Sequence, residues 1–324
     1  MEYRKAVQIL KAKVGLISNR EELIEFKKGG LADLATDFHR IKKIEFSSRL
    51  DGYFHIINED VKPRIQLDVE RVVATGDFLK LEKEAKDDRF SLLGNEGLFY
   101  RFVLRTLEDK CGIFSFHACG LLNEKTRQFY IICGGAGSGK TVFILEGIQE
   151  GLKIFSTEMV HFRIETGHRL RFYKGSLLDN TRIGTLKYSF PEAYKMLDIE
   201  LPEVEDEWGR KITIDLSRHQ TASNYLDHPE IVVVFPHIEE EKNDSTVTKI
   251  EDKRLLCKLL FDNLSEKIGE TILLYEEVPM TGLDTPSSSR KRLRAVNEFV
   301  RCVRLKKAVK VIAGTRNCLK GVKE

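Results

Sequence analysis

One eight-residue stretch constrains this chain more than any other part of its sequence. Residues 134–141 read Gly-Gly-Ala-Gly-Ser-Gly-Lys-Thr, which fits the pattern G-x-x-x-x-G-K-[ST] of phosphate-binding loops. The apolar run 128–133 before it is suited to a buried strand, and residues 142–148 after it predict a helix. Strand, glycine loop and helix is the context that such a loop requires. A flexible glycine-serine linker does not fit, because linkers are not flanked by buried apolar runs.

The residue types in this loop explain how it would hold a nucleoside triphosphate. Glycines let successive backbone N–H groups converge on an anion with no Cβ in the way, and a helix N-terminus adds the positive end of a dipole. We expect Lys140 to reach the β- and γ-phosphates and the Thr141 hydroxyl to bind Mg²⁺. The predicted ATP-binding residues are Gly134, Gly135, Ala136, Gly137, Ser138, Gly139, Lys140, Thr141 and Val142.

The composition favours a cytoplasmic protein with a sizeable core. The 324 residues carry a net charge of +3, which demands neither nucleic acid nor an anionic membrane as a partner. No signal peptide is visible, and no apolar run approaches the roughly 20 residues that cross a bilayer. The six cysteines show no metal-site spacing, so we expect them to act as small core residues. We therefore expect no membrane or nucleic-acid partner; the oligomeric state stays open, with a homo-oligomer as one option.

The distribution of apolar runs predicts an α/β protein with two parts. Residues 1–92 are expected to form a smaller N-terminal α+β domain, which ends near the highly charged run 80–89. Residues 93–324 are expected to form the nucleotide-binding domain. There the patterns predict a helix capped by Asn95, strands at 113–122, 128–133, 152–155, 212–216, 231–235, 271–275 and 309–313, and helices at 253–264 and 290–305.

Acidic residues at several strand ends could complete an enzyme around the loop. Glu158 follows a short apolar strand soon after the loop helix, Glu276 and Glu277 follow the strand at 271–275, and Asp215 lies within 212–216. The Glu276–Glu277 arrangement is similar to the acidic pair of many mechanical ATPases. Each acid is also explained as a surface residue, because strand ends are commonly polar. These residues alone do not decide which acid would hold a metal.

A connected pattern around the loop gives further information. Ser115-Phe116-His117-Ala118-Cys119-Gly120, a turn, the strand before the loop, the loop and residues 152–158 follow one another. This pattern resembles the HPr kinase/phosphorylase-like family and, more distantly, the phosphoenolpyruvate carboxykinases, over about residues 94–162. The resemblance implies a P-loop kinase domain of that type. It also implies ATP- and Mg²⁺-dependent phosphoryl transfer to a hydroxyl acceptor, on a small molecule or a protein or peptide serine.

The resemblance also implies roles for individual residues. His117 matches the family histidine that precedes the loop; His117, Lys140 and Glu158 would be catalytic, and Thr141 and Glu158 would bind the metal. Thr157 departs from the family, which usually has the first of two aspartates there. Glu158 would then both bind the metal and act as the base. Alternatively, His117 would activate the acceptor, or the chain would bind nucleotide without strong catalysis. The glycine-rich signature of genuine HPr kinases is absent, so HPr itself is not expected as the substrate.

The same sequence features are compatible with roles other than phosphotransfer. A histidine between Phe116 and Cys119 is commonly a buried core residue with no catalytic role. The chain could also be an ATPase that uses Glu276 and Glu277, or a regulatory protein that binds nucleotide without transferring phosphate. Residues 290–294, Arg-Lys-Arg-Leu-Arg, give the predicted helix at 290–305 a basic face. Such a face is most often simply solvated, and it could also steer a phosphorylated or acidic substrate.

Overall fold

The computed structural model of the chain describes residues 1–47, 49–68, 70–239, 242, 244–302 and 304–323. The strands are β1 Tyr3–Ile9, β2 Ala12–Ser18, β3 Ile41–Ile44, β4 Gly52–Asn58, β5 Arg64–Leu67, β6 Arg71–Gly76, β7 Ile113–Asn123, β8 Gln128–Cys133, β9 Lys153–Ser156, β10 Met159–Glu165, β11 Arg169–Tyr173, β12 Leu178–Arg182, β13 Lys211–Asp215, β14 Tyr225–Asp227, β15 Glu230–Ile238, β16 Thr246–Lys249, β17 Ile272–Leu274, β18 Val278–Met280 and β19 Leu305–Ala313. The α-helices are α1 Phe78–Glu84, α2 Leu98–Thr106, α3 Lys140–Gln149, α4 Pro191–Leu197, α5 Lys253–Gly269, α6 Pro286–Arg301 and α7 Lys320–Lys323.

The chain divides into two compact units, each made of two stretches of sequence. The first unit contains residues 1–114 and 265–291, and the second contains residues 115–264 and 292–324. Helices and several mixed sheets occur along the chain, so the α/β class predicted from the sequence is confirmed. The boundary after residue 92 stays a prediction.

The first unit is built on a six-stranded mixed sheet with the order β3-β1-β2-β4-β6-β5. Its central strands β2, β4 and β6 run parallel, and β1, β3 and β5 pair antiparallel at the sides. Helix α2 has Gly97 at its N-cap position. The predicted Asn95 cap is wrong, because the Asn95 amide donates instead to the Thr36 hydroxyl at 2.9 Å.

The second unit is built on a nine-stranded sheet that carries the glycine loop. Its strand order is β14-β11-β10-β7-β8-β15-β19-β16, with β9 paired to β7. Strands β8, β15 and β19 are parallel, whereas β7 runs antiparallel to β8. Strands β7 and β8 are buried along almost their whole length, as expected for strands covered on both faces. The glycine loop therefore leaves the centre of the sheet at the carboxyl end of β8, where ligands bind in open α/β sheets.

Most elements that the sequence predicts for the second half of the chain are present. The strands at 212–216, 231–235 and 309–313 correspond to β13, β15 and β19, and the two helices correspond to α5 and α6. Helix α6 ends at Arg301, and Val303 of its predicted range lies outside the described residues. The strand predicted at 271–275 is only the short β17, which pairs with β18 in a separate hairpin.

Two expectations from composition can be compared with the structure. Cys119, Cys133, Cys302 and Cys318 are buried, as expected for small core residues, whereas Cys111 and Cys257 are partly exposed. Throughout the described part of the chain, every helix is too short or too polar to cross a membrane.

Candidate active site

The loop between β8 and α3 has a backbone that requires glycine at two positions. Gly137 and Gly139 have φ angles of 79° and 102°, in the left-handed region. A Cβ on Gly139 would in addition lie 2.2 Å from Cγ1 of Ile238. Strand β8 ends at Cys133 and helix α3 begins at Lys140, so the predicted strand-loop-helix context is confirmed. The N-terminal end of a ten-residue helix therefore meets the loop.

The Lys140 ammonium lies at the centre of the site. Its Nζ donates to the carbonyl oxygens of Gly134 at 2.9 Å and Gly135 at 3.2 Å. It also lies 3.0 Å from Nε2 of His117 and 3.3 Å from Oε2 of Glu158. Only 7% of Lys140 is exposed, so these interactions are screened less than they would be in water. When Lys140 donates to Nε2, that nitrogen carries the lone pair and the ring proton lies on Nδ1.

The backbone brings His117 and Glu158 together at Lys140. His117 lies on β7, and Glu158 lies in the turn between β9 and β10. The N–H of Ala118 donates to the carbonyl oxygen of Glu158 at 3.0 Å, which fixes this turn against β7. Oε2 of Glu158 lies 3.4 Å from Nε2 of His117. The structure thus gathers the three residues for which the resemblance implies catalytic roles.

The Thr141 hydroxyl points to a carboxylate that was not predicted from the sequence. It donates to Oδ2 of Asp179 at 3.1 Å, and the Thr181 hydroxyl donates to the same oxygen. Asp179 is almost completely buried on β12. Burial, followed by the negative charge of Glu158, raises the pKa of Asp179 to about 6, although both hydroxyls act to lower it. A buried carboxylate beside a hydroxyl supplies the hard oxygen ligands that Mg²⁺ prefers.

Asp179 could not be predicted because it does not follow the end of an apolar strand close to the loop. It stands near the start of its strand, 38 residues after Thr141. The available signal is an aspartate directly after the apolar pair Leu177-Leu178, at the head of a polar segment. That signal alone does not place the carboxylate beside Thr141, because the contact depends on how β12 is folded back toward α3.

Thr157, the position that departs from the family pattern, has a clear structural role. It is completely buried, and its hydroxyl oxygen lies 2.6 Å from the carbonyl oxygen of Leu178 and 3.2 Å from that of Ser176. Its N–H donates to Ser176 O at 3.0 Å. These bonds join the end of β9 to the residue immediately before Asp179. Thr157 therefore helps to place the carboxylate that contacts Thr141.

Asn263 is a second residue of the site that was not predicted from the sequence. Its amide Nδ2 donates to the carbonyl oxygen of His117 at 2.9 Å, across a sequence separation of 146 residues. The N–H of Gly134 donates to the same oxygen at 3.0 Å. Helix α5 is thus connected to β7 and to the first glycine of the loop. No local pattern could have revealed this long-range contact.

The other polar groups of the loop differ in whether they already have a hydrogen-bond partner. The N–H of Val142 donates to the carbonyl oxygen of Gly139 at 2.9 Å, within the first turn of α3. Oγ of Ser138 is buried and has no hydrogen-bond partner among the described residues. Buried hydroxyls are normally satisfied, so Oγ of Ser138 keeps hydrogen-bonding capacity that the described residues do not use.

The other acidic candidates have different places in the fold. Glu276 and Glu277 connect β17 to β18 in the first unit, whereas the glycine loop belongs to the second unit. Oδ1 of Asp215 accepts a hydrogen bond from the N–H of Ser217 at 2.8 Å, so this acid stabilises a local turn. Across the ranges that the structure describes, no group of three or more His, Cys, Asp or Glu side chains could hold a metal by itself. A magnesium ion at Thr141 and Asp179 would take its other ligands from phosphates and water.

Comparison with known proteins does not assign the chain to a family. No protein-family model matches it, and no curated protein matches it at a significant level. The resemblance to HPr kinase-like proteins therefore rests on the motif pattern.

Proposed function

We propose that this chain is an HPr kinase-like phosphotransferase that moves the γ-phosphoryl group of ATP to a hydroxyl acceptor. The observation that carries the proposal is the convergence of Lys140, His117 and Glu158 at the glycine loop, with Thr141 and Asp179 as a second polar pair. Phosphoryl transfer needs phosphate-binding donors, a metal site and a group that orients or deprotonates the attacking oxygen. Each of these requirements has a candidate residue here. We propose accordingly that the second unit has a P-loop kinase fold of this family.

The glycine loop would bind the phosphate chain of the nucleotide. The N-terminus of α3 and the buried Ser138 hydroxyl supply donors, and Lys140 supplies a positive charge. Its present partners include two loop carbonyls, at 2.9 and 3.2 Å. A phosphate oxygen would replace these neutral acceptors with a charged one, which makes a stronger hydrogen bond.

Thr141 and Asp179 would hold Mg²⁺ in this proposal. The hydroxyl and the carboxylate are already within 3.1 Å of each other, and both are oxygen donors. When bound, Mg²⁺ neutralises charge on the β- and γ-phosphates and helps to position them. The geometry therefore favours Asp179 over Glu158 as the metal carboxylate. Glu158, beside Lys140 and His117, is then available for the acceptor.

The transfer step balances with ATP, the acceptor hydroxyl and the residues of the proposed site. The acceptor hydroxyl gives its proton to the Glu158 carboxylate, and its oxygen forms a bond to the γ-phosphorus. The bond from the γ-phosphorus to the bridging oxygen breaks, and ADP leaves with that electron pair. Lys140 offsets the negative charge, and His117 accepts a hydrogen bond from Lys140 and holds it in place. Catalysis would depend mainly on positioning and charge neutralisation.

Paired substitutions test this proposal against an ATPase that uses the other acids. Transfer of label from γ-labelled ATP would be measured in a metabolite library and in cell extract. We expect Glu158→Gln to lose transfer by a factor of about 10² or more, in the range of general-base loss, and Lys140→Ala to abolish it. Glu276→Gln should retain full activity. Loss of turnover in Glu276→Gln with retention in Glu158→Gln would instead support the ATPase, and ATP binding without any turnover would support a regulatory nucleotide-binding protein.

A further inference from the structure

A groove between helices α5 and α6 lies within the second unit, apart from the residues of the proposed active site. It has a volume of about 410 Å³, within the range of roughly 300–1,000 Å³ that ligand pockets occupy. Its apolar and weakly polar lining consists of Cys257, Phe261, Leu293, Asn297 and Val300. Its charged lining consists of Lys253, Arg254, Lys258 and Arg301. The groove thus combines an apolar surface with a set of exposed cations.

The charge of this groove is strongly one-sided. None of its lining residues is acidic. Lys258 has an ion pair with Asp262, and Arg254 lies at the long distance of 3.9 Å from Asp252. In the described part of the chain, Lys253 and Arg301 have no carboxylate within ion-pair distance. An occupant with carboxylates would therefore meet cations that are not already neutralised.

The apolar part of the groove includes side chains that a folded protein usually covers. Leu293 is 46% exposed, whereas Val300, two turns further along α6 in the same groove, is buried. The thiol of Cys257 lies 3.6 Å from Oδ1 of Asn297, a contact that joins the two helices. Partial burial raises the pKa of the Cys257 thiol, although Arg301 acts to lower it. An apolar surface rimmed by polar residues is typical of an interaction site.

The length of the groove indicates a peptide rather than a small anion. Its lining runs from Lys253 to Phe261 on α5 and from Leu293 to Arg301 on α6. Each stretch extends about 12 Å at 1.5 Å per residue, or roughly two helical turns. Cys257 contacts Asn297, and the N–H of Leu283 donates to the carbonyl oxygen of Ile268, so the two helices run antiparallel. Lys253, Arg254 and Arg301 therefore lie toward one end of the groove, and Phe261 and Leu293 lie toward the other. A single phosphate group would occupy only the cationic end, whereas a peptide segment spans both ends. Grooves between helices commonly bind amphipathic helices through apolar side chains spaced at i, i+3, i+4 and i+7.

We propose that this groove binds an acidic amphipathic helical segment of a protein partner. Apolar side chains of the segment contact Phe261 and Leu293, and its carboxylates pair with Lys253 and Arg301. This surface goes beyond the proposed phosphotransfer, and binding to it does not require that activity. Of the basic segment 290–294, only Leu293 lines the groove.

Two synthetic peptides of about 14 residues test the proposal with the full chain. One has Leu at helical i, i+3, i+4 and i+7 positions and Glu elsewhere; the other has the same composition in an order with no apolar face. Fluorescence anisotropy should show binding of the first peptide only, with an affinity that falls as salt is raised. The first peptide should also slow maleimide labelling of Cys257 and leave labelling of Cys111, the other partly exposed cysteine, unchanged.

Matched variants locate the binding surface. Arg301→Glu should weaken peptide binding roughly three- to tenfold, since it removes one surface ion pair and adds a repulsion. Arg294 is exposed on the same helix but lies outside the groove, so Arg294→Glu should leave peptide binding unchanged. Leu293→Ser should weaken binding more than Leu255→Ser, a comparably exposed leucine on α5 that does not line the groove. Equal binding of the two peptides, absence of binding, or equal effects within either pair of variants would overturn the proposal. Stronger binding of anionic vesicles or single-stranded RNA than of the acidic peptide would also overturn it.

Discussion

The hydroxyl oxygen of Thr157 lies 2.6 Å from the carbonyl oxygen of Leu178, the residue before Asp179. This contact gives a structural role to the threonine at the position where the HPr kinase-like pattern usually has an aspartate. The carboxylate beside Thr141 comes from β12, and Thr157 helps to fix the start of that strand. The departure from the family pattern is therefore accompanied by a different source of the acid.

We expect Thr157→Val to weaken the proposed site without unfolding the protein. Valine has nearly the same shape, but it removes the hydroxyl that donates to the partly buried carbonyl of Leu178, at a cost of about 1 kcal/mol. The start of β12 should then be less well fixed, so that kcat falls by about tenfold. Thr157→Ser keeps the hydroxyl and should restore most of the activity. Equal kcat values in the valine and serine variants would show that the hydroxyl has no positioning role.

The raised pKa of Asp179 predicts a specific dependence of stability on pH. Its folded-state pKa of about 6 lies above its ordinary value of 3.8, so the folded protein binds this proton more tightly than the unfolded chain does. The contribution of Asp179 to stability therefore falls as pH rises from about 4 to about 6, at up to 1.4 kcal/mol per pH unit. Without nucleotide or metal, Asp179→Asn should be more stable than the wild type at pH 8 by roughly 1–3 kcal/mol.

Chemical denaturation at pH 4 and pH 8 measures this difference. The advantage of Asp179→Asn should shrink to less than about 1 kcal/mol near pH 4, where the folded wild type holds the proton and the unfolded chain holds it part of the time. Asp215→Asn, at an exposed acid in a local turn, is the matched control and should show little change in this window. An asparagine variant that is less stable than the wild type at pH 8 would contradict the buried-carboxylate account.

The two carboxylates of the site should differ in their effects on metal dependence. Asp179→Asn is expected to raise the Mg²⁺ concentration needed for ATP binding by about tenfold or more, because the proposed metal site loses its only charged protein ligand. Glu158→Gln should leave that requirement within about threefold of the wild type, while it stops transfer. A Mg²⁺ titration of nucleotide binding for both variants measures the difference. The opposite pattern would return the metal to Glu158, as the family resemblance implies.

Two glycines of the loop offer a matched test of its backbone geometry. Gly137 and Gly139 both have positive φ, but a Cβ would meet open space at Gly137 and would lie 2.2 Å from Ile238 at Gly139. Gly137→Ala should therefore cost about 1–2 kcal/mol through its backbone conformation alone. Gly139→Ala must also displace Ile238 and should lose ATP binding more severely. Calorimetric titration with ATP compares the two variants, and equal losses would contradict the observed loop geometry.

The sequence predicted local features of this protein better than contacts between distant segments. The strand, loop and helix around Gly134 to Thr141 could be recognised because glycine spacing and apolar runs are local properties. For His117 the sequence left a core role and a catalytic role as alternatives, and its role beside the loop was implied by the family resemblance. The Thr141–Asp179 and His117–Asn263 contacts could not be predicted, because they join residues 38 and 146 positions apart. The prediction that Asn95 caps a helix was wrong because its tertiary contact with Thr36 competes with the local preference of asparagine for helix N-termini.

The product of ATP turnover tests the central claim most directly. The wild-type protein would be incubated with γ-labelled ATP, Mg²⁺ and fractions of cell extract, and ADP and labelled acceptor would both be quantified. A phosphotransferase predicts one labelled hydroxyl acceptor for each ADP formed, with both products absent in Lys140→Ala. ADP that accumulates with free phosphate and no labelled acceptor, or transfer that is undiminished in Lys140→Ala, would contradict the account.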